Sequence, residues 1–365
     1  MFQLILGGEV RVGDQAARYG NIMNQPSKSD WATLYQAAIT FKEAAPWNWV
    51  GNEELFAVEN PDDGEVGYCS VLGSGGEEFG LGMFVGEDGY ARYIKVIEGK
   101  VEPEDLEESI MARAISMLLV DRDVIQKEDR EVIRSLGLRF RGRNAWPFFR
   151  SQRPGYIPWF LERDEAVSLS TAIHQALVVA DEIRSGELDL SEGEPKNLVL
   201  TRYYHGGKWD KEWRRVPISS QGQETHAENI NPVKEAELHL LHHQPGGYSG
   251  VWELDIFVLP VPIASETGRP FLPSGFLAVE RRCGLIVDAN LTKPWLTLSE
   301  KQDEVIRILR KANQLPREIR VKSDKVRRIV EPITSILGIK LRMASLVMLE
   351  QAKASLYEHL SGRYA

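Results

Sequence analysis

Glu235, His239, His242 and His243 are spaced so that the carboxylate and two of the imidazoles share one face of a helix. Carboxylate and neutral imidazole are donors in zinc and other transition-metal sites, so these four are the candidate metal ligands. The pattern is not HExxH. A histidine near a helix C-terminus is also stabilised by the helix dipole without any metal. Leu238, Leu240 and Leu241 lie among them, which predicts that part of this helix packs on a core.

A second cluster carries different chemistry. Arg139, Arg141, Arg143, Arg150 and Arg153 fall in a stretch that holds no acid from Leu138 to Leu161. Trp146, Phe148, Phe149, Tyr156 and Trp159 are interleaved with them or follow closely. Guanidinium groups meet phosphates and rings stack on bases, so Arg139, Arg141, Arg143, Trp146, Arg150, Arg153, Tyr156 and Trp159 form a candidate single-stranded nucleic-acid or ligand surface. The competing expectation is an irregular segment whose rings plug a core while arginine stems cover apolar surface. The chain as a whole is acidic, with a net charge of −9, which argues against a general nucleic-acid coat.

Other strings promise less. Gly73-Ser-Gly-Gly76 lacks the lysine and Ser/Thr that end a phosphate loop and reads as a hairpin connection. Cys69 and Cys283 form no CxxC pair and read as buried free thiols in a reducing compartment. No GxSxG occurs.

The elements that must position these residues are legible from periodicity. At 365 residues, with 43% hydrophobic and 27% charged residues, the chain has the composition of a globular protein with two domains. Met1–Val10 has no basic flank and no small-residue cleavage site, so it is not expected to be a signal peptide. A helix is predicted from Asp30 to about Ala44, then a hairpin whose strands, Leu55–Val58 and Glu65–Leu72, flank the turn Asn60–Gly64. Phe79–Val85 reads as a third strand, Tyr90–Ile97 as strand or helix, and Pro103 as the start of a helix to about Ala114. Ile115–Val120 reads as a buried strand, Leu138–Phe160 as irregular, and Glu162–Arg184 as a helix.

Ser191-Glu-Gly-Glu-Pro195 is the expected linker, giving domains 1–190 and 196–365. Beyond it the pattern predicts a hairpin across His205–Lys208, a helix over Asn231–His243 and a strand at Val251–Val258. A second hairpin from Phe276 to Leu291 and three helices alternating with two strands follow. The expected fold class is α/β (α+β), each domain a mixed sheet with a β-hairpin packed by helices. Phe56-Ala-Val-Glu59 and Leu277-Ala-Val-Glu280, each followed by a turn and a glycine, suggest an internal duplication.

Several strings together resemble a group of bacterial proteins described as domains of unknown function. They are Pro46-Trp-Asn-Trp49, the Phe56 hairpin, Gly137-Leu-Arg-Phe-Arg-Gly142, Trp146-Pro147 and Pro154-Gly-Tyr-Ile-Pro-Trp159. In the tail they are Arg269-Pro270, Phe276–Gly284 and Pro316-Arg-Glu-Ile-Arg-Val321. The resemblance spans most of the chain and implies an intracellular, cytoplasmic bacterial protein with no assigned activity. The element order of the tail also resembles the ribonuclease H-like fold. That resemblance implies metal-binding carboxylates at Glu280, Asp288, Asp324 and Glu350, where two divalent ions would clamp a phosphodiester. The position on the hairpin's first strand is normally an Asp within the strand, whereas Glu280 ends it.

The expected function is therefore a non-catalytic binding or interaction protein, with no cofactor and no membrane, whose partner is a protein or a nucleic acid. The alternatives are a divalent-metal nuclease on the tail and single-stranded nucleic-acid binding by the arginine and aromatic segment.

Overall fold

The computed structural model describes residues 24–98, 111–196, 198–216, 232–243, 246–265, 268–312 and 314–361. The chain divides into two compact units, 1–219 with 264–270, and 220–263 with 271–365. Met1–Val10 and most of the helix expected from Pro103 lie outside the described residues.

The first unit is built on a seven-stranded sheet. Its strands are β1 (Leu55–Glu59), β2 (Val66–Leu72), β3 (Phe79–Val85), β4 (Ala114–Val120), β5 (Trp146–Gln152), β6 (Leu198–His205) and β7 (Lys208–Arg215). Their order is β5-β4-β3-β2-β1-β6-β7, antiparallel throughout except for the parallel pair β1 and β6. Both faces are apolar, as a covered sheet requires. On one face Phe56, Cys69, Val71, Leu81, Met83, Met117 and Phe149 pack with α1 (Lys28–Ala44) and α4 (Arg163–Ser185). On the other, Ala57, Tyr68, Phe84 and Leu118 pack with Tyr93 of α2 (Gly86–Ile97). A shorter helix, α3 (Lys127–Ser135), adds Ile133 to the first core.

Local chemistry explains the entries and turns. The side chain of Ser27 accepts from Asp30 N while the Asp30 carboxylate accepts from Ser27 N, a reciprocal cap for α1. The β6–β7 turn is the two residues Gly206 and Gly207, both at positive φ, the geometry that matches hairpin twist.

Two expectations change here. Ser191–Pro195 is not the division between units: it lies in a 3-10 helix (Leu190–Lys196), and the next strand, β6, adds to β1 in the first sheet. The hairpin placed in the second domain thus completes the first unit. Nor is Leu138–Phe160 irregular throughout. Its centre is the edge strand β5, fully paired with β4 from Val120↔Trp146 to Ala114↔Gln152.

The second unit carries α5 (Pro232–His242) and a five-stranded sheet. The sheet strands are β8 (Val251–Val258), β9 (Ser274–Glu280), β10 (Ile286–Thr292), β11 (Glu318–Val321) and β12 (Lys340–Met343). The order is β10-β9-β8-β11-β12, with β9 antiparallel to both neighbours and the β8–β11 and β11–β12 pairs parallel. Between and after the later strands run α6 (Leu298–Lys311), α7 (Asp324–Leu337) and α8 (Val347–Ser361). Trp252, Leu254 and Ile256 of β8 join Val305, Ile329 and Ile333 in one core. Leu277 and Val279 of β9 meet Leu346 and Leu349 at the start of α8 on the other face. The structure is thus a mixed α/β protein with two sheets packed by helices.

Candidate functional site

The arginine and aromatic segment splits into two parts with different fates. Arg139, Arg141 and Arg143 lie exposed in the loop before β5. Arg150 is buried: its two terminal nitrogens donate to the two oxygens of Asp129 at 3.0 and 2.8 Å, and Nη1 also donates to Phe149 O. The same guanidinium lies 3.8 Å from the ring centre of Phe148 and 4.6 Å from that of Phe160. Trp146 is half-buried against the core and rests on Phe140. One continuous nucleic-acid face built from all eight residues is therefore not what this segment forms.

Instead, the loop after β5 closes one side of a cavity of about 520 Å³ in the first unit. That volume falls in the range of about 300–1,000 Å³ usual for small-molecule sites. Trp31 and Tyr35 of α1, Glu128, Asp129, Glu131 and Val132 of α3, and Arg153, Tyr156, Trp159 and Phe160 of the loop line it. Arg269 completes the wall from the returning segment 264–270, which is fastened to the loop by Ile157 N donating to Pro270 O.

The two arginines of the cavity differ in their partners. Arg153 is held by Glu162 at 2.9 Å and by Glu165 at 2.8 Å. Burial opposes its charge, but the hydrogen bonds and charges of Glu162 and Glu165 outweigh that effect and raise its pKa. Glu162 responds in kind: burial pushes its carboxyl up, yet Arg153 and the 2.7 Å bond from Asn24 leave it below the usual value. Arg269 is 5% exposed and poorly partnered. Its Nη2 donates to Phe160 O at 3.3 Å and stands 3.9 Å from Glu165, while its buried Nη1 has no hydrogen-bond partner. Burial, followed by the like charge of Arg153, pushes its pKa down to about 10, so it stays protonated at neutral pH.

The candidate metal ligands are spread along α5 and used otherwise. His239 is exposed and 3.9 Å from Glu235. His242 Nδ1 lies 2.8 Å from the Tyr248 hydroxyl, which itself donates to Leu337 O at 2.7 Å. His243 stacks edge-on to His242.

The four carboxylates assigned by the ribonuclease H-like resemblance also have local employment. Glu280 accepts from Cys283 N in the β9–β10 turn, which leaves Cys283 exposed rather than buried as expected, while Cys69 is buried. Asp288 is held by Arg307 and Lys311, Asp324 pairs with Arg327, and Glu350 pairs with Lys322. Among the described residues, no group of three or more His, Cys, Asp or Glu side chains is arranged to hold a metal ion.

The structure also corrects where the sheet begins. Its first and central strand is β8, not the strand that Glu280 ends. The acids of that strand, Glu253 and Asp255, are buried on the face that α8 covers. Glu253 accepts from Leu349 N at 2.9 Å and from Arg281 at 3.2 Å. Asp255 accepts from Lys353, whose ammonium also sits 4.2 Å from the centre of the Phe257 ring. The sequence signal was available: in Trp252-Glu-Leu-Asp-Ile256 the acids alternate with core residues.

No described helix is long and apolar enough to cross a membrane. No curated protein and no solved structure matches the chain. Residues 31–202 match the family described as Domain of unknown function (DUF7309), and residues 237–357 match the one described as Domain of unknown function (DUF6930).

Proposed function

We propose that this is a non-catalytic, intracellular binding protein whose ligand site is the cavity of the first unit. One observation carries the reading: a buried, charged guanidinium lines that cavity with Nη1 unpaired. An unsatisfied buried donor costs about 1–3 kcal/mol, more when charged, and a ligand acceptor would recover that cost. Trp31, Trp159 and Phe160 add broad apolar surface to the same wall. The test is a small-molecule library screened by thermal shift on the full chain and on Val132→Trp, which fills the cavity. A ligand at one hundred times its Kd adds about 2.7 kcal/mol of stability. Hits that survive Val132→Trp unchanged would remove the cavity from the account.

The order of the second sheet favours a ribonuclease H-like reading of that unit. Counting from β8, its strands lie 3-2-1-4-5 with only the second reversed, followed by alternating helices. The lysine on Asp255 and the helix N–H on Glu253 support a binding role for this layer, since both central acids are already committed. A magnesium-dependent cleavage of RNA or DNA lost in Asp255→Asn or Asp288→Asn would favour the nuclease instead.

A further inference from the structure

The charge arithmetic of the cavity goes beyond the existence of a site. Arg153 faces two carboxylates, Glu162 and Glu165. Asp129 is committed to both arms of Arg150. Of the two acids that act on Arg269, Glu162 is paired with Arg153, and Glu165, 3.9 Å away, already accepts from Arg153 Nε and Nη2 and from Ser151 Oγ. The positive charge of Arg269 is thus the one that the pairing in this wall leaves least compensated. The rest of the lining discourages a multiply charged anion, because Glu128, Asp129, Glu131 and Glu162 all border the same space. Trp31, Trp159 and Phe160 give the same wall its aromatic surface, and Trp159 and Phe160 stand edge-on to each other, so a planar body that stacks on one of those two rings meets the other at its edge.

Resting on the cavity reading, we infer that the ligand is a small monocarboxylate carrying a flat aromatic or conjugated body, its carboxylate meeting the guanidinium of Arg269. A guanidinium offers two parallel donors to such a group, which adds both energy and orientation.

The experiment is calorimetric titration of the full chain with naphthalene-2-carboxylate, with its neutral carboxamide, and with inorganic phosphate as competitor. The carboxylate is expected to bind about tenfold or more tightly than the amide, the difference set by one charge-assisted hydrogen-bond pair. Arg269→Gln is expected to remove that preference, Arg269→Lys to keep part of it, and phosphate to leave binding unchanged. Circular dichroism of both variants checks that they fold. Equal binding of acid and amide, insensitive to Arg269→Gln, overturns the carboxylate class while leaving the cavity as a site. Displacement by phosphate overturns it in favour of a multiply charged ligand. If neither naphthalene compound binds at millimolar concentration while library hits still vanish in Val132→Trp, the class is wrong and the cavity stands. Silence in both assays removes the cavity as well.

Discussion

Arg150 on β5 grips Asp129 on α3 with one hydrogen bond from each terminal nitrogen, at 3.0 and 2.8 Å, in a setting where both side chains are buried. The pair joins the edge strand of the first sheet to the helix that forms one wall of the cavity. Removing one partner of such a pair leaves the other charge buried and alone, which costs about 3–5 kcal/mol. Arg150→Met is therefore expected to lower the urea midpoint by an amount in that range. The double variant Arg150→Met with Asp129→Leu should recover part of the loss, because no lone charge remains while the cap that Asp129 gives Gln126 N at the start of α3 is lost. A single variant as stable as the parent would show that the pair is not buried in solution.

The second unit gives a pH-dependent prediction. Burial raises the carboxyl of Asp255 above the usual range, and the ammonium of Lys353 opposes that rise. A carboxyl whose folded pKa is raised favours the folded state below its unfolded value, and this contribution is lost as pH climbs through the folded value. Lys353→Met removes the opposing charge and moves the carboxyl further up. The deficit of the variant relative to the parent should thus be largest near pH 7, at about 3–5 kcal/mol, and shrink as pH falls towards 4 and the carboxyl takes up its proton. Urea midpoints of both proteins across that interval measure it. A deficit independent of pH would assign the loss to packing rather than to charge.

Gly80 tests the packing of the first sheet. A Cβ at this position would lie 2.0 Å from the main-chain oxygen of Met117 on the neighbouring strand, an obstacle that no rotamer change relieves. Gly80→Ala is expected to destabilise by about 1–3 kcal/mol or more, as overpacking against a rigid neighbour does. Gly64, in an open turn where an added Cβ meets nothing within 4 Å, is the comparison. Its positive φ still penalises Ala there, by roughly 1 kcal/mol or somewhat more. Equal losses at the two sites would contradict the register between β3 and β4.

Leu238 and Leu241, not the exposed histidines, pack α5 on the core, and the histidines are expected to bind no metal. Tyr248 fastens the helix end to Leu337 O while lying beside His242. Tyr248→Phe should cost about 0.5–1.5 kcal/mol, the usual value of one hydrogen bond. Zinc should not change the thermal midpoint of the parent or of His239→Ala. A zinc-dependent rise that disappears in His239→Ala would reinstate the metal reading.

The sequence exposed much of the frame and little of the site, for reasons that differ by element. Strong periodicity located α1 and α4, and turn chemistry located the Asn60–Gly64 hairpin. The two turns share a hydrogen-bond pattern, Gly64 N donating to Asn60 O and Gly284 N to Glu280 O, both at 2.9 Å, but this matches Asn60 with Glu280, one residue out of step with the repeated string that pairs Glu59 with Glu280. Yet β1 has a parallel neighbour in β6 where β9 has an antiparallel one in β8, so the likeness extends to the turn and not to the sheet. The linker reading failed because pairing of β6 with β1 spans more than 130 residues of chain, a contact that local composition does not encode. The arginine segment misled for a related reason. Its compensating acids, Asp129, Glu162 and Glu165, flank the acid-free run in sequence and fold back onto it in space. Arg269, the cavity's least satisfied cation, lies more than 100 residues from Phe160, whose carbonyl it touches, and no pattern links the two.

The most direct measurement of the central claim is fluorine NMR of the full chain labelled with 5-fluorotryptophan, titrated with a library hit or with naphthalene-2-carboxylate. Resonances are assigned by single Trp→Phe replacements. The account predicts saturable shifts at Trp31 and Trp159, which line the cavity, with Trp252 in the core of the second unit unmoved. Shifts that bypass Trp31 and Trp159, or that gather at Trp252, would contradict it.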